Sequence, residues 1–163
     1  MKLKVKKLAR DASRETYFHY TDSGLNNYWL GPGLFEMNDA GDLRLLEFDK
    51  IQATIGMHIC NLPRRLGPRE VRFLRGEIGV SQSELGAMLG YKDKQRVLAA
   101  EKLDAEGVSL AVGADMLLRL HYLNMLGRHN LVGDSYQQQA LDMALQLQQS
   151  EQEAEADDHL LAA

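Results

Sequence analysis

One cysteine in 163 residues, Cys60, excludes an internal disulfide, and without a CxxC pair the chain lacks the usual framework for a structural zinc. Nowhere do eighteen apolar residues run together, which argues against a membrane-spanning helix. The basic start MKLKVKKLAR leads into no apolar stretch with a cleavage site, so the reading carries no secretory leader and places the protein in the cytoplasm. A Gly-rich phosphate loop, a nucleophile elbow and an HExxH pair are all missing, and with them the common marks of an enzyme. The expectation is a non-catalytic protein with no cofactor and no metal. His58-Ile59-Cys60 does not reverse it: positions i and i+2 of a helix face different ways and no second ligand pair is in sight, so these read as core residues.

Positive charge is missing from the end of the chain. From Asp134 onward there are seven acids and no Lys or Arg, and this tail sets the net charge of -4. The interior differs. Between Arg64 and Lys102, nine Lys/Arg stand against five acids, so a basic face is hidden by an acidic tail in the whole-chain balance. A hydrophobic content of 45% suffices for one sizeable core or two small ones.

Turn signals organise the chain. Residues 1–16 read as a basic arm. From Tyr17 to about Asp42, aromatics alternate with turns at Asp22-Ser23-Gly24, Gly31-Pro32-Gly33 and Asn38-Asp39-Ala40-Gly41, which predicts two or three short strands with Trp29 and its aromatic neighbours as their core. Asp49 is placed as the cap of a helix carrying Ile51, Ile55 and Ile59 and ending before Pro63. Gly67-Pro68 opens the next helix, with Val71, Leu74 and Ile78 on its apolar side and Arg69, Arg72 and Arg75 on another stripe. Ser81 with Glu84 makes a capping box for a helix that stops at Gly90, and Asp93 caps a further one with Val97 and Ala100 inside. In ADMLLRLHYLNML the apolar stripe is too broad for burial on one side, so Leu117, Leu118, Tyr122 and Leu123 are expected to form a dimer interface. A last helix from about Ser135 to Gln152 leads into the acidic end.

Gln82, Gly86, Gly90 and Val97 fall where the lambda-repressor-like (XRE/Cro) helix-turn-helix family places its glutamine, small residue, turn glycine and core aliphatic. The stretch PREVRFLRGEIGVSQSELGAMLG, with YTDSGLNNYWL before it and RLHYL after it, resembles a bacterial subgroup of that family that includes MqsA-type antitoxins and related transcriptional regulators. The resemblance covers about residues 20–126. It implies a mainly α fold: a helix-turn-helix bundle (63–126) preceded by a small strand-containing segment with a helix (17–62) and followed by a C-terminal helix and tail (127–163). The zinc ribbon of some relatives is not carried over, because its cysteines are absent. YKDKQRV holds one residue more than the usual spacing between turn glycine and core aliphatic, and Ala99 and Ala100 replace residues that are often larger in relatives.

What this implies is a sequence-specific regulator, expected to be an autoregulatory repressor, that binds a palindromic double-stranded operator as a homodimer. The alternative is an antitoxin-type protein that also grips a protein partner such as a toxin; a membrane partner is not expected. Lys94, Gln95 and Arg96 would read bases from the leading turn of the recognition helix, with Ala99 against thymine methyls and Lys92, Lys102 and Arg72 adding positive charge. Gln82 would meet a phosphate. The resemblance further implies that Arg75 pairs with Glu101 in a structural ion pair.

Overall fold

The computed structural model describes residues 17–31, 33–40, 42–104 and 107–129. The expected basic arm, and the last helix with its acidic tail, lie outside the described residues. The chain divides into two compact units at Ile55–Gly56, inside a helix rather than in the connection at 61–67.

In the first unit, β1 (Phe18–His19) pairs antiparallel with β2 (Trp29–Leu30), and β3 (Phe35–Met37) with β4 (Leu43–Leu45), Phe35 opposite Leu45 and Met37 opposite Leu43. Among the described residues four strands form where two or three were predicted, because the expected strand region ended at Asp42, one residue short of β4. The Asp22-Ser23-Gly24 turn closes with Gly24 N–H donating to Thr21 O at 2.9 Å, Gly24 itself lying in left-handed backbone at φ 77°. Asn38 and Asp42 tie the second hairpin, Asp42 N–H donating to Asn38 Oδ1 at 2.8 Å. Phe18, Tyr20, Leu25 and Leu30 are buried, and the Phe18 ring lies 5.8 Å from that of Phe35. Trp29 corrects the expectation of a core residue. It is 38% exposed and stacks on His19 with ring centroids 4.3 Å apart, since the period-2 alternation that buries Leu30 turns its neighbour outward.

Helix α1 (Phe48–Cys60) starts one residue before the expected cap, so Asp49 sits in the first turn, where its charge favours the helix dipole. Ile51, Ile55 and Ile59 are buried at i, i+4 and i+8, as their spacing predicts, and the helix ends ahead of Pro63. Tyr20 donates to buried Gln52 at 3.4 Å, tying β1's end to the first half of α1. Ile59 and Cys60 are core residues as read, whereas His58 is exposed.

In the second unit the end of α1 joins α2 (Pro68–Ile78), α3 (Gln82–Met88), α4 (Gln95–Ala100) and α5 (Val112–Arg128). α2 packs on α5, and α3 on α4. Pro68 occupies the first turn of α2 and Gly79, at φ 80°, ends it, with Val80 N–H reaching back to Arg75 O. Gly56 is required by packing: a Cβ there would run into the ring and hydroxyl of Tyr122.

Arg119 of α5, almost fully buried, holds the exit of α1. Its guanidinium donates to Cys60 O and Leu62 O at 2.9 Å each, to Arg64 O at 2.6 Å and to Asp115 at 2.7 Å, while Asp115 accepts Leu66 N–H at 2.7 Å. The carbonyls that a helix end leaves unpaired are thus satisfied by a charge that is itself neutralised one turn away. Burial, opposed by Arg119 and assisted by Asp115, pushes the Cys60 thiol up to about 12.

Among the described residues no helix is long and apolar enough to cross a membrane, and no group of His, Cys, Asp and Glu is placed to hold a metal ion.

Candidate nucleic-acid interface

The two helices that carry the motif are short, and three local devices fix them. Ser81 Oγ accepts Glu84 N–H at 3.2 Å while Glu84 accepts Ser81 N–H at 2.7 Å, a reciprocal cap that starts α3. The bonds from the Ser81 backbone and then its side chain hold Glu84 below its ordinary value. α3 ends at Gly90, φ 78°, with Tyr91 N–H donating to Gly86 O at 2.9 Å and Gly90 N–H to Ala87 O at 3.1 Å, the Schellman pattern.

The third device is the close approach of the chain to Gly86. A Cβ there would lie 2.9 Å from Asp93 O, so any larger residue would push the segment before α4 away from α3. The cap of α4 is Lys94 rather than the expected Asp93, which lies one residue earlier and accepts Gln95 N–H on Oδ1 at 2.8 Å. Val97 and Ala100 face inward and are buried.

Lys92, Lys94, Gln95 and Arg96 are all exposed, the last three at the leading end of α4. The side chains of Lys92, Lys94 and Arg96 make no ion pair among the described residues. Leu98 is exposed beside them. Ala99 is half-buried and its carbonyl accepts Val108 N–H at 3.3 Å, so it offers less surface than its exposed neighbours. Lys102 is exposed beyond the end of α4.

Glu101 gathers the rest. Its carboxylate, 2% exposed, takes Arg75 Nε at 2.5 Å and Arg75 Nη2 at 3.1 Å, a two-pronged contact between α2 and the end of α4. Arg75 also donates to Val80 O at 3.0 Å. Gln82 Nε2 donates to the same carboxylate at 2.8 Å, so the amide expected on a phosphate is turned toward Glu101. Arg72 Nη2 donates to the Glu101 carbonyl at 3.0 Å, though the side chain remains more than half exposed. Three of the candidate residues, Arg72, Arg75 and Gln82, therefore meet around a fourth, the buried acid Glu101. No sequence signal announced the roles of Gln82 and Arg72 there, because each contact joins helices distant along the chain.

The dimer assignment needs correcting. Leu118 and Tyr122 are 0% exposed and Leu123 1%, spent on the contacts of α5 with its own unit; of the four, only Leu117, at 42%, reaches the surface. The broad stripe arises because α5 is covered on more than one side, by α2 and by the end of α1.

On the near side of α5, Tyr91, Arg96, Val108, Ser109, Leu110 and Ala111 line an open pocket of about 220 Å³.

Comparison with protein-family models, with curated proteins and with solved structures finds no match.

Proposed function

We propose that the chain is a sequence-specific, double-stranded DNA-binding regulator that reads a palindromic site as a dimer through the leading end of α4. The observation that carries this reading is the row Lys92, Lys94, Gln95 and Arg96. These side chains are exposed, and the three cations make no ion pair among the described residues, at and just before the start of a helix whose other face is held by Val97 and Ala100 and whose end is held by Glu101. A helix end with such groups suits the major groove, where Arg or Lys donates to guanine O6/N7 and Gln pairs with adenine. Arg72, more than half exposed beside Glu101, would stand toward the phosphates and help set the register. On this reading the chain performs no catalysis.

The test is a band-shift or anisotropy titration with the DNA upstream of its own gene, at several salt concentrations and with specific and unrelated competitors. The expected result is a complex competed by its own site and weakened by salt, as released counterions require. A fragment set that never shifts at low salt overturns the reading.

A second reading, an antitoxin-like grip on a protein partner, has one observation in its favour. In the first unit Tyr17, Trp29, Leu34, Met37 and Phe48 are between 38 and 49% exposed, apolar surface that a protein partner would cover.

A further inference from the structure

The open pocket beside α4 joins Arg96 of the proposed base-reading row to residues that the row does not use. Its volume, about 220 Å³, exceeds that of an engineered apolar cavity of about 150 Å³ that admits benzene, so a six-membered ring with one attached anionic group fits the space. Val108, Leu110 and Ala111 supply apolar wall, while Arg96, Tyr91 and Ser109 supply a guanidinium and two hydroxyls. None of these three polar side chains has a hydrogen-bond partner among the described residues. Among the described residues no carboxylate lines the pocket to repel an anion. A pocket lined by apolar wall and a few polar groups is the ordinary form of a small-ligand site.

We propose that this pocket binds a small organic anion, one carboxylate or phosphate group on an apolar body about the size of a benzene ring, with Arg96 taking the anion and Tyr91 and Ser109 donating to it. The consequence, which rests on the DNA-binding reading, is regulation: the guanidinium that holds the ligand is withdrawn from the groove, so ligand and DNA compete. Linkage then requires each to weaken the other by the same factor.

The test uses the full chain labelled for amide NMR, titrated with benzoate, phenyl phosphate and inorganic phosphate against chloride at matched ionic strength. The expected result is saturable shifts at Tyr91, Ser109 and Leu110 with benzoate or phenyl phosphate, and weaker binding of inorganic phosphate, which leaves the apolar wall unused. Arg96→Gln, at an exposed position, should weaken the organic anions about tenfold or more, the worth of a charge-assisted hydrogen bond. Tyr91→Phe should weaken them less. Absence of saturation by about 10 mM, equal affinity for inorganic and phenyl phosphate, or indifference to Arg96→Gln would each overturn the site. Because this titration contains no DNA, its failure leaves the DNA-binding reading standing. With an operator fragment present, benzoate should release the complex more than chloride does. A complex indifferent to saturating benzoate overturns the regulation, and a protein that binds benzoate but no DNA overturns both the regulation and the DNA-binding reading, leaving the pocket.

Discussion

Glu101 shows how much a single side chain can hold. Its carboxylate is almost wholly out of water and neutralised by Arg75, 20% exposed, with Gln82 completing the shell. Removing the acid leaves Arg75 and the Gln82 amide without their acceptor, a loss of about 3 to 5 kcal/mol for a buried pair and less where one partner stays partly wet. Glu101→Ala should therefore lower the calorimetric melting temperature by about 10 °C or more, at about 4–8 °C per kcal/mol for a domain of this size. Gln95→Ala should leave melting unchanged and, on the proposed reading, weaken DNA by about 1–3 kcal/mol at one base position. A Glu101→Ala protein that melts like the parent would dismiss the structural role. Glu70 gives a pH-dependent counterpart. Burial opposes its ionisation, but Arg64 at 2.7 and 2.9 Å and Gly67 N–H at 2.7 Å outweigh burial and hold the carboxyl below its ordinary value. A folded value below the unfolded one means that the stabilisation is complete above the usual Glu range, about 4.3, and is lost as pH falls through the depressed value. The stability gap between parent and Glu70→Gln, measured by urea unfolding, should thus be widest near neutral pH and shrink below about pH 4.

At the scale of elements, α5 separates core from surface within one turn. Leu118→Glu places a carboxylate in a fully buried site and should unfold the second unit or lower its melting temperature at every protein concentration, whereas Leu117→Glu, one residue earlier and exposed, should stay within about 0.5 kcal/mol of the parent. Circular dichroism melts at two concentrations distinguish this from loss of a dimer, which would make the effect concentration-dependent. The same helix shows why some elements were readable in the sequence and others were not. The starts and stops of α2 and α3 are local: Gly67-Pro68, Ser81 with Glu84, and Gly79 and Gly90 each act within a few residues. The fate of α5's stripe depends on which helices cover it, and the sequence of the stripe does not say. Arg119 makes the same point more sharply. The sequence does not single it out, yet it is 2% exposed and closes the end of α1, because besides Asp115 its partners are backbone carbonyls nearly sixty residues away. In the candidate interface, the exposed row at 92–96 and the Arg75–Glu101 contact could be anticipated, but the pocket beside it could not, since it needs α4 and the segment before α5 together.

For the whole molecule, the buried thiol offers a readout of opening. Cys60, held near 12, is neutral in the folded protein well beyond the range in which a free thiol ionises, so the folded form loses stability relative to the unfolded one as pH rises above about 8.5. Alkylation by iodoacetamide at pH 8 should accordingly proceed only through unfolding, and its rate should rise with Arg119→Met or Leu118→Glu and remain unchanged with Arg96→Gln. Rapid labelling of the native parent would contradict the burial of this site. The arrangement around Glu101 has a consequence for how such a protein could change its target. Since the acid paired with Arg75 sits behind α4, and the side chains at 92, 94, 95 and 96 are exposed and make no hydrogen bond or ion pair among the described residues, those four positions can be exchanged as a cassette. A library randomised at these positions alone would retain the parent's melting temperature while sampling new recognition, so preference can drift in a lineage without first passing through an unstable intermediate.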